Sequence, residues 1–188
     1  MAPDDDGPLA GHLLVAAPSL LDPNFHRTVV LVLDHTDDGA LGLVLNRPSR
    51  TAVGELLEPW AAVAAAPGLV HVGGPVEPTA VIALGGVPPG VATDGWEPIV
   101  DGLRVVDLGA DVALAATELT AIRVFAGYAG WGPGQLEAEV GEDAWLTAPA
   151  MATDALTADP DGLWPVAMER AGVDPRLLTT MPEDPSMN

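Results

Sequence analysis

The chain alternates between short, wholly apolar runs and breaks rich in glycine and proline. Residues 27–34 (RTVVLVLD) and 40–46 (ALGLVLN) are apolar at consecutive rather than alternate positions, the pattern of strands buried on both faces. Only a short break containing TDDG separates them, which predicts an antiparallel hairpin. Residues 12–17 (HLLVAA), 69–72 (LVHV), 80–84 (AVIAL), 103–108 (LRVVDL), 121–125 (AIRVF) and 144–147 (AWLT) predict further strands, and residues 88–98 a loop with a short strand near Trp96. Helical spacing predicts a helix over 51–60, interrupted at Pro59, and others over 111–119 and 134–140. A turn of helix is expected at 154–156. A last helix is expected over 161–172, with Pro165 in its first turn and Gly172 as its C-terminal cap. Strands and helices follow each other irregularly, without βαβα alternation. That predicts an α+β domain with a mixed, mostly antiparallel sheet, a single unit over 9–180 with flexible termini at 1–8 and 181–188.

Composition narrows the functions. The 188 residues are 48% hydrophobic but only 4% aromatic, so the core is built from Val, Leu and Ala. There are 27 acids against 7 bases, every base an arginine, for a formal charge of −20. Nucleic-acid binding depends on basic side chains neutralising phosphates, so this balance disfavours direct contact with DNA or RNA. Cysteine is absent, which excludes disulfides, thiolate metal sites and a cysteine nucleophile. The opening MAPDDDGPLAG lacks the basic and apolar regions of a signal peptide, and no apolar run approaches the ~20 residues of a membrane span. The expected location is the cytoplasm, without membrane attachment.

Candidate chemistry is sparse. The stretch GYAGWGPGQLEAEV over 127–140 has glycines at Gly127, Gly130, Gly132 and Gly134. Its spacing matches neither phosphate-loop pattern. No lysine follows, and Glu137 and Glu139 would oppose an anion. It reads as a tight turn that lets Tyr128 and Trp131 pack closely and, with Gln135, shapes a surface. None of His12, His26, His35 and His71 sits at zinc-ligand spacing. His35, at a strand end near Asp34 and Asp37, is a candidate proton carrier or a turn stabiliser. No serine lies in a nucleophile elbow. If the two long strands pair, Arg27, Asn46 and Arg47 meet at the open end as the one locally basic corner, with Asp22 and Asn24 beside them. That corner suits a small carboxylate or phosphate. Alternatively, Arg27 pairs with Asp22 and the Asn46-Arg47-Pro48 segment only ends a strand. No metal, cofactor or catalytic residue is indicated.

Three blocks together resemble the YqgE/AlgH family of bacterial proteins: GHLLVAAPSLLDPNFHRTVVLVLDHTDDGALGLVLNRP (11–48), HVGGPV (71–76), and GYAGWGPGQLEAEVGEDAWL (127–146). The resemblance implies that the sheet is bifurcated and curls into a partly open pseudo-barrel flanked by helices. It implies no catalytic residues, since the family has no established enzymatic activity. One branch is named for a role in transcriptional regulation of alginate production. The expected function is a non-enzymatic binding or regulatory protein acting through a protein partner or small ligand. The expected surface is formed by 18–27, 46–48, Gly73 and Gly74 with 75–76, and 127–135. Two alternatives stand beside it: an enzyme on a small anionic metabolite, with Arg27 and Arg47 binding and His35 as acid/base, and an indirect transcriptional regulator. Oligomeric state is not legible.

Overall fold

The computed structural model describes residues 9–91 and 95–174. In chain order the strands are β1 (His12–Ala16), β2 (Val29–Thr36), β3 (Gly39–Val44), β4 (Pro48–Ala52), β5 (Leu69–Val72), β6 (Val76–Gly86), β7 (Pro98–Val100), β8 (Leu103–Val106), β9 (Ala121–Trp131) and β10 (Trp145–Pro149). The helices are α1 (Val53–Leu56), α2 (Val112–Glu118), α3 (Gln135–Gly141), α4 (Ala152–Ala155) and α5 (Leu163–Arg170), with a 3-10 segment at Glu58–Val63.

The architecture is α+β. The main path of the sheet runs β10-β1-β2-β3-β9-β6-β8-β7, and β5 joins β9 while pairing with β4 on its other side. Every pairing is antiparallel except β5 with β9. The predicted hairpin forms, with Val30 opposite Val44 and Thr36 opposite Gly39. The curled sheet buries both faces, as its unbroken apolar runs require. Leu13, Val15, Leu31, Leu43 and Phe125 face α5 and its Trp164 and Met168. Alternate residues Leu14, Val30 and Val32 turn the other way, against Trp131, Trp145 and Leu136 of α3. Val70, Ala83, Ile122 and Val124 lie under α1, the 3-10 segment and α2.

Several boundaries differ from the sequence reading. The 51–60 helix is instead a strand, one turn of α-helix and the 3-10 segment. Pro48 and Ala52 pair with β5, and Pro59 lies in the first turn of the 3-10 segment, where its missing N–H costs nothing. The short strand expected near Trp96 forms just beyond it, as β7, and α2 begins as expected, with the Asp111 carboxylate accepting from the Ala113 and Leu114 N–H groups. The largest correction concerns 127–134. It is not a tight turn: β9 continues through Gly127 to Trp131, pairing Tyr128 with Val76 and Trp131 with Ala40. Only the residues between β9 and α3 turn. The expected termini at 1–8 and 181–188 lie outside the described residues.

Candidate functional site

The sheet divides along one edge of β9. β6 occupies the opposite edge. On the dividing edge, β5 pairs at Phe125–Ala126 and β3 takes over at Ala129–Trp131. The handover is made by Gly73, whose N–H donates to the Ala126 carbonyl while its carbonyl accepts from Val44 N–H. The backbones approach too closely there for side chains. A Cβ on Gly73 would lie 2.3 Å from the Gly127 carbonyl oxygen, and one on Gly74 2.2 Å from the Tyr128 carbonyl. Gly127 itself has φ +72°, a conformation that favours glycine.

A cleft of about 240 Å³ opens at this fork, lined by Pro23, Asn24, Val44, Arg47, Pro48, Val72, Gly74 and Pro75. One wall is the loop 22–28, held as a single rigid turn. Asp22 accepts from the backbone N–H groups of Asn24, Phe25 and His26. Asn46 is buried, accepting from Val29 N–H and donating to the Arg27 carbonyl. Arg47 donates to the His26 carbonyl. Burial holds the Arg47 guanidinium below its ordinary pKa, with the nearby Asp161 carboxylate opposing that shift. Arg47 is the only charged residue among the described residues of the lining. Another opening, of about 460 Å³ near Asp101, Thr120 and Leu156, contains none of the predicted residues.

The predicted surface is therefore divided. Asn24, Arg47 and Gly74 line the cleft, with Asp22 two residues before Asn24 and Gly73 adjoining Gly74. Asn46 is structural. Arg27 adopts φ +53° and sets its guanidinium 5.1 Å from the Trp164 ring centre. Tyr128 packs against the α5-side core. Trp131 is buried, and its indole N–H and that of Trp145 both donate to Glu139. Gln135 accepts from Gly132 N–H and donates to Glu139. The single-cleft arrangement required by the enzyme alternative is contradicted. His35 lies opposite Ala40 near the closed end of the β2–β3 hairpin, whereas Arg27 and Arg47 flank its open end, ~20 Å away along the backbone at the usual strand rise. His35 accepts from Leu9 N–H through Nδ1, so Nε2 donates to Glu137 at 3.0 Å. It is a brace between the hairpin and α3.

Two buried polar groups lie outside the predicted surface: Arg123, which the sequence marks only as a strand residue, and His71, which it marks only as lacking zinc-ligand spacing. Arg123 is 1% exposed and donates to the carbonyls of Ala65, Ala66, Ala155 and Thr157; burial lowers its pKa to about 10. His71 is fully buried. Its Nδ1–H donates to the Leu69 carbonyl, and Nε2 has no hydrogen-bond partner among the described residues. Burial first, and then the Arg123 charge, push its pKa down to about 4, against the Leu69 bond, which raises it. Folding thus favours neutral His71. The stability this gives is complete above the unfolded value of 6.5 and is lost as pH falls from 6.5 to about 4. We expect a loss of about 3 kcal/mol across that window, measured by urea unfolding at successive pH values. The His71→Gln variant should flatten the slope; an unchanged slope would place the proton uptake elsewhere.

The AlgH-like family model matches residues 13–176. The chain belongs to this family. A UPF0301 protein of Streptomyces coelicolor is 45% identical over 184 residues, covering 96% of this chain and 95% of the relative. A UPF0301 protein of Mycobacterium tuberculosis is 41% identical, covering 95% and 90%. The crystal structure of a Corynebacterium diphtheriae protein superposes on this AlgH-like chain with a TM-score of 0.87 at 31% identity, covering 93% of each. The solution structure of AlgH from Pseudomonas aeruginosa superposes with a TM-score of 0.67 at 33% identity, covering 98% of this chain and 100% of that one. The fork and its cleft lie within the matched span. No helix of the described residues is long and apolar enough to cross a membrane.

Proposed function

We propose that this AlgH-like protein is a non-enzymatic binding protein that acts in the cytoplasm, with its ligand seated in the fork cleft. One observation carries the reading: three segments distant in sequence, around Asn24, Arg47 and Gly74, meet at a single opening. Its lining offers a partly desolvated cation, an amide and apolar walls, a combination suited to recognising a small ligand. Any regulatory effect then runs through what is bound there, because a molecule of charge −20 repels the nucleic-acid backbone. The test is a small-molecule screen read by amide chemical shifts on the labelled protein. Hits should perturb Asn24, Arg47, Val72 and Gly74, and Val72→Asp should abolish them with the fold intact. Hits that map elsewhere and survive Val72→Asp would sink the reading.

A further inference from the structure

We propose that the ligand of the fork cleft is a monocarboxylate with an unbranched apolar chain of medium length. This rests on the binding reading above and names the ligand class. The observation behind it is a single row of residues across the sheet. The Arg47 carbonyl accepts from Val72 N–H; Val72 stands opposite Ala126, and Ala126 opposite Val81. Residues opposed in neighbouring strands project to the same face, so the row reads Arg47, Val72, Ala126, Val81.

On that face, the row two residues away along each strand is Val70, Val124 and Ala83, at 3%, 0% and 1% exposure beneath the helical cover. The cover stops there. Val72 is 47% exposed and Val81 36%, with Ala126 half-buried between them. Arg47 and Val72 line the cleft, and Ala126 and Val81 carry the row beyond it, an apolar track leading away from a cation at its cleft end. Three interstrand spacings make it about 14 Å long.

Each end selects its chemistry. A guanidinium carries five N–H donors, and Arg47 gives one to the His26 carbonyl. The remaining fork matches the two oxygens of a carboxylate. A phosphate dianion would ask for more donors than one arginine has left, inside a protein of charge −20. The track crosses the strands rather than running along them. A peptide laid across it would cover its own N–H and C=O groups against side chains, at the cost of unpaired polar groups. An aliphatic chain has no such groups to satisfy.

Calorimetric titration of the full chain with octanoate tests this, with octanol and acetate as probes lacking the charge or the chain. Measurements at physiological salt limit the protein's own field to a range of about 8 Å. Octanoate should bind about tenfold or more tighter than either control, the size expected for losing one charge-assisted hydrogen bond or the apolar contact. Val72→Glu and Val81→Glu, both at exposed positions, should each weaken octanoate by about tenfold while leaving the thermal midpoint in place. Asp161→Asn should tighten it, because that carboxylate competes for Arg47. Octanoate and octanol binding alike, or Val81→Glu leaving octanoate affinity unchanged, would overturn the inference. Acetate binding as tightly as octanoate at the cleft amides would overturn the chain requirement and leave the cleft reading standing. Screen hits confined to other surfaces would remove both.

Discussion

Replacing Arg123 by alanine is expected to destabilise the protein by about 3–5 kcal/mol, read as a lower urea midpoint at an unchanged slope. Arg123 is the largest fully buried side chain among the described residues, and its guanidinium serves carbonyls from two separate segments, Ala65–Ala66 and Ala155–Thr157. Ala65 keeps a second donor in Gly68 N–H, so the loss falls mainly on the buried Ala155 carbonyl, and less on those of Ala66 and Thr157, whose bonds are only partly buried. Each buried carbonyl deprived of its donor costs about 1–3 kcal/mol, partly offset because no cation then has to be desolvated. Arg123→Met separates packing from hydrogen bonding: it fills much of the volume and donates nothing. If Met restores stability, the cavity is the main cost; we expect it to recover less than half. Arg123→Lys should also fall short, since one ammonium cannot reach carbonyls spread around a planar fork.

Arg123 shows where sequence reading stops. Within AIRVF it is one polar residue in an apolar strand, the same pattern as an outward-facing arginine. Only the meeting of β9 with two distant segments makes it central, and no local periodicity encodes that meeting. The elements themselves are largely legible because their signals are local: consecutive apolar residues for β2 and β3, helical spacing over 111–119 for α2, Gly172 after α5. β4 has no local signal because Pro48, Ser49, Arg50 and Thr51 have no apolar pattern; the segment is held extended by Pro48 and Ala52 at its two ends, which pair with β5 across a register shift. The candidate site was half legible. Asn24, Arg47 and Gly74 were identified, since polar and glycine residues at strand ends are informative. Val44 and Val72 show in sequence only as strand residues, because exposure of an apolar side chain depends on where the helical cover ends. Trp131 and Asn46 look like surface chemistry in sequence, yet they are buried against Glu139 and the 22–28 loop.

The glycines at the fork give the second large effect. Gly74→Ala should cost roughly 3 kcal/mol or more, because its Cβ would sit 2.2 Å from the carbonyl carbon and oxygen of Tyr128 and 2.4 Å from Ala129 N. These are backbone atoms of a central strand paired on both edges, so they cannot move aside as a flexible side chain could. Gly127→Ala meets the Gly74 carbonyl oxygen at 2.6 Å and must also hold φ +72°. The control is Gly134→Ala. That residue has nearly the same φ, +71°, with nothing within 4 Å of an added Cβ, so it should cost only the left-handed penalty of about 1–2 kcal/mol. The difference between Gly127→Ala and Gly134→Ala therefore measures close approach with backbone conformation held constant. Combining Gly74→Ala with Gly127→Ala should cost less than the sum, because either one alone already forces β5 away from β9. Strict additivity, or a Gly74→Ala cost no larger than that of Gly134→Ala, would mean that β5 and β9 can separate freely. The fork would then not be the rigid junction that holds Arg47 beside Val72.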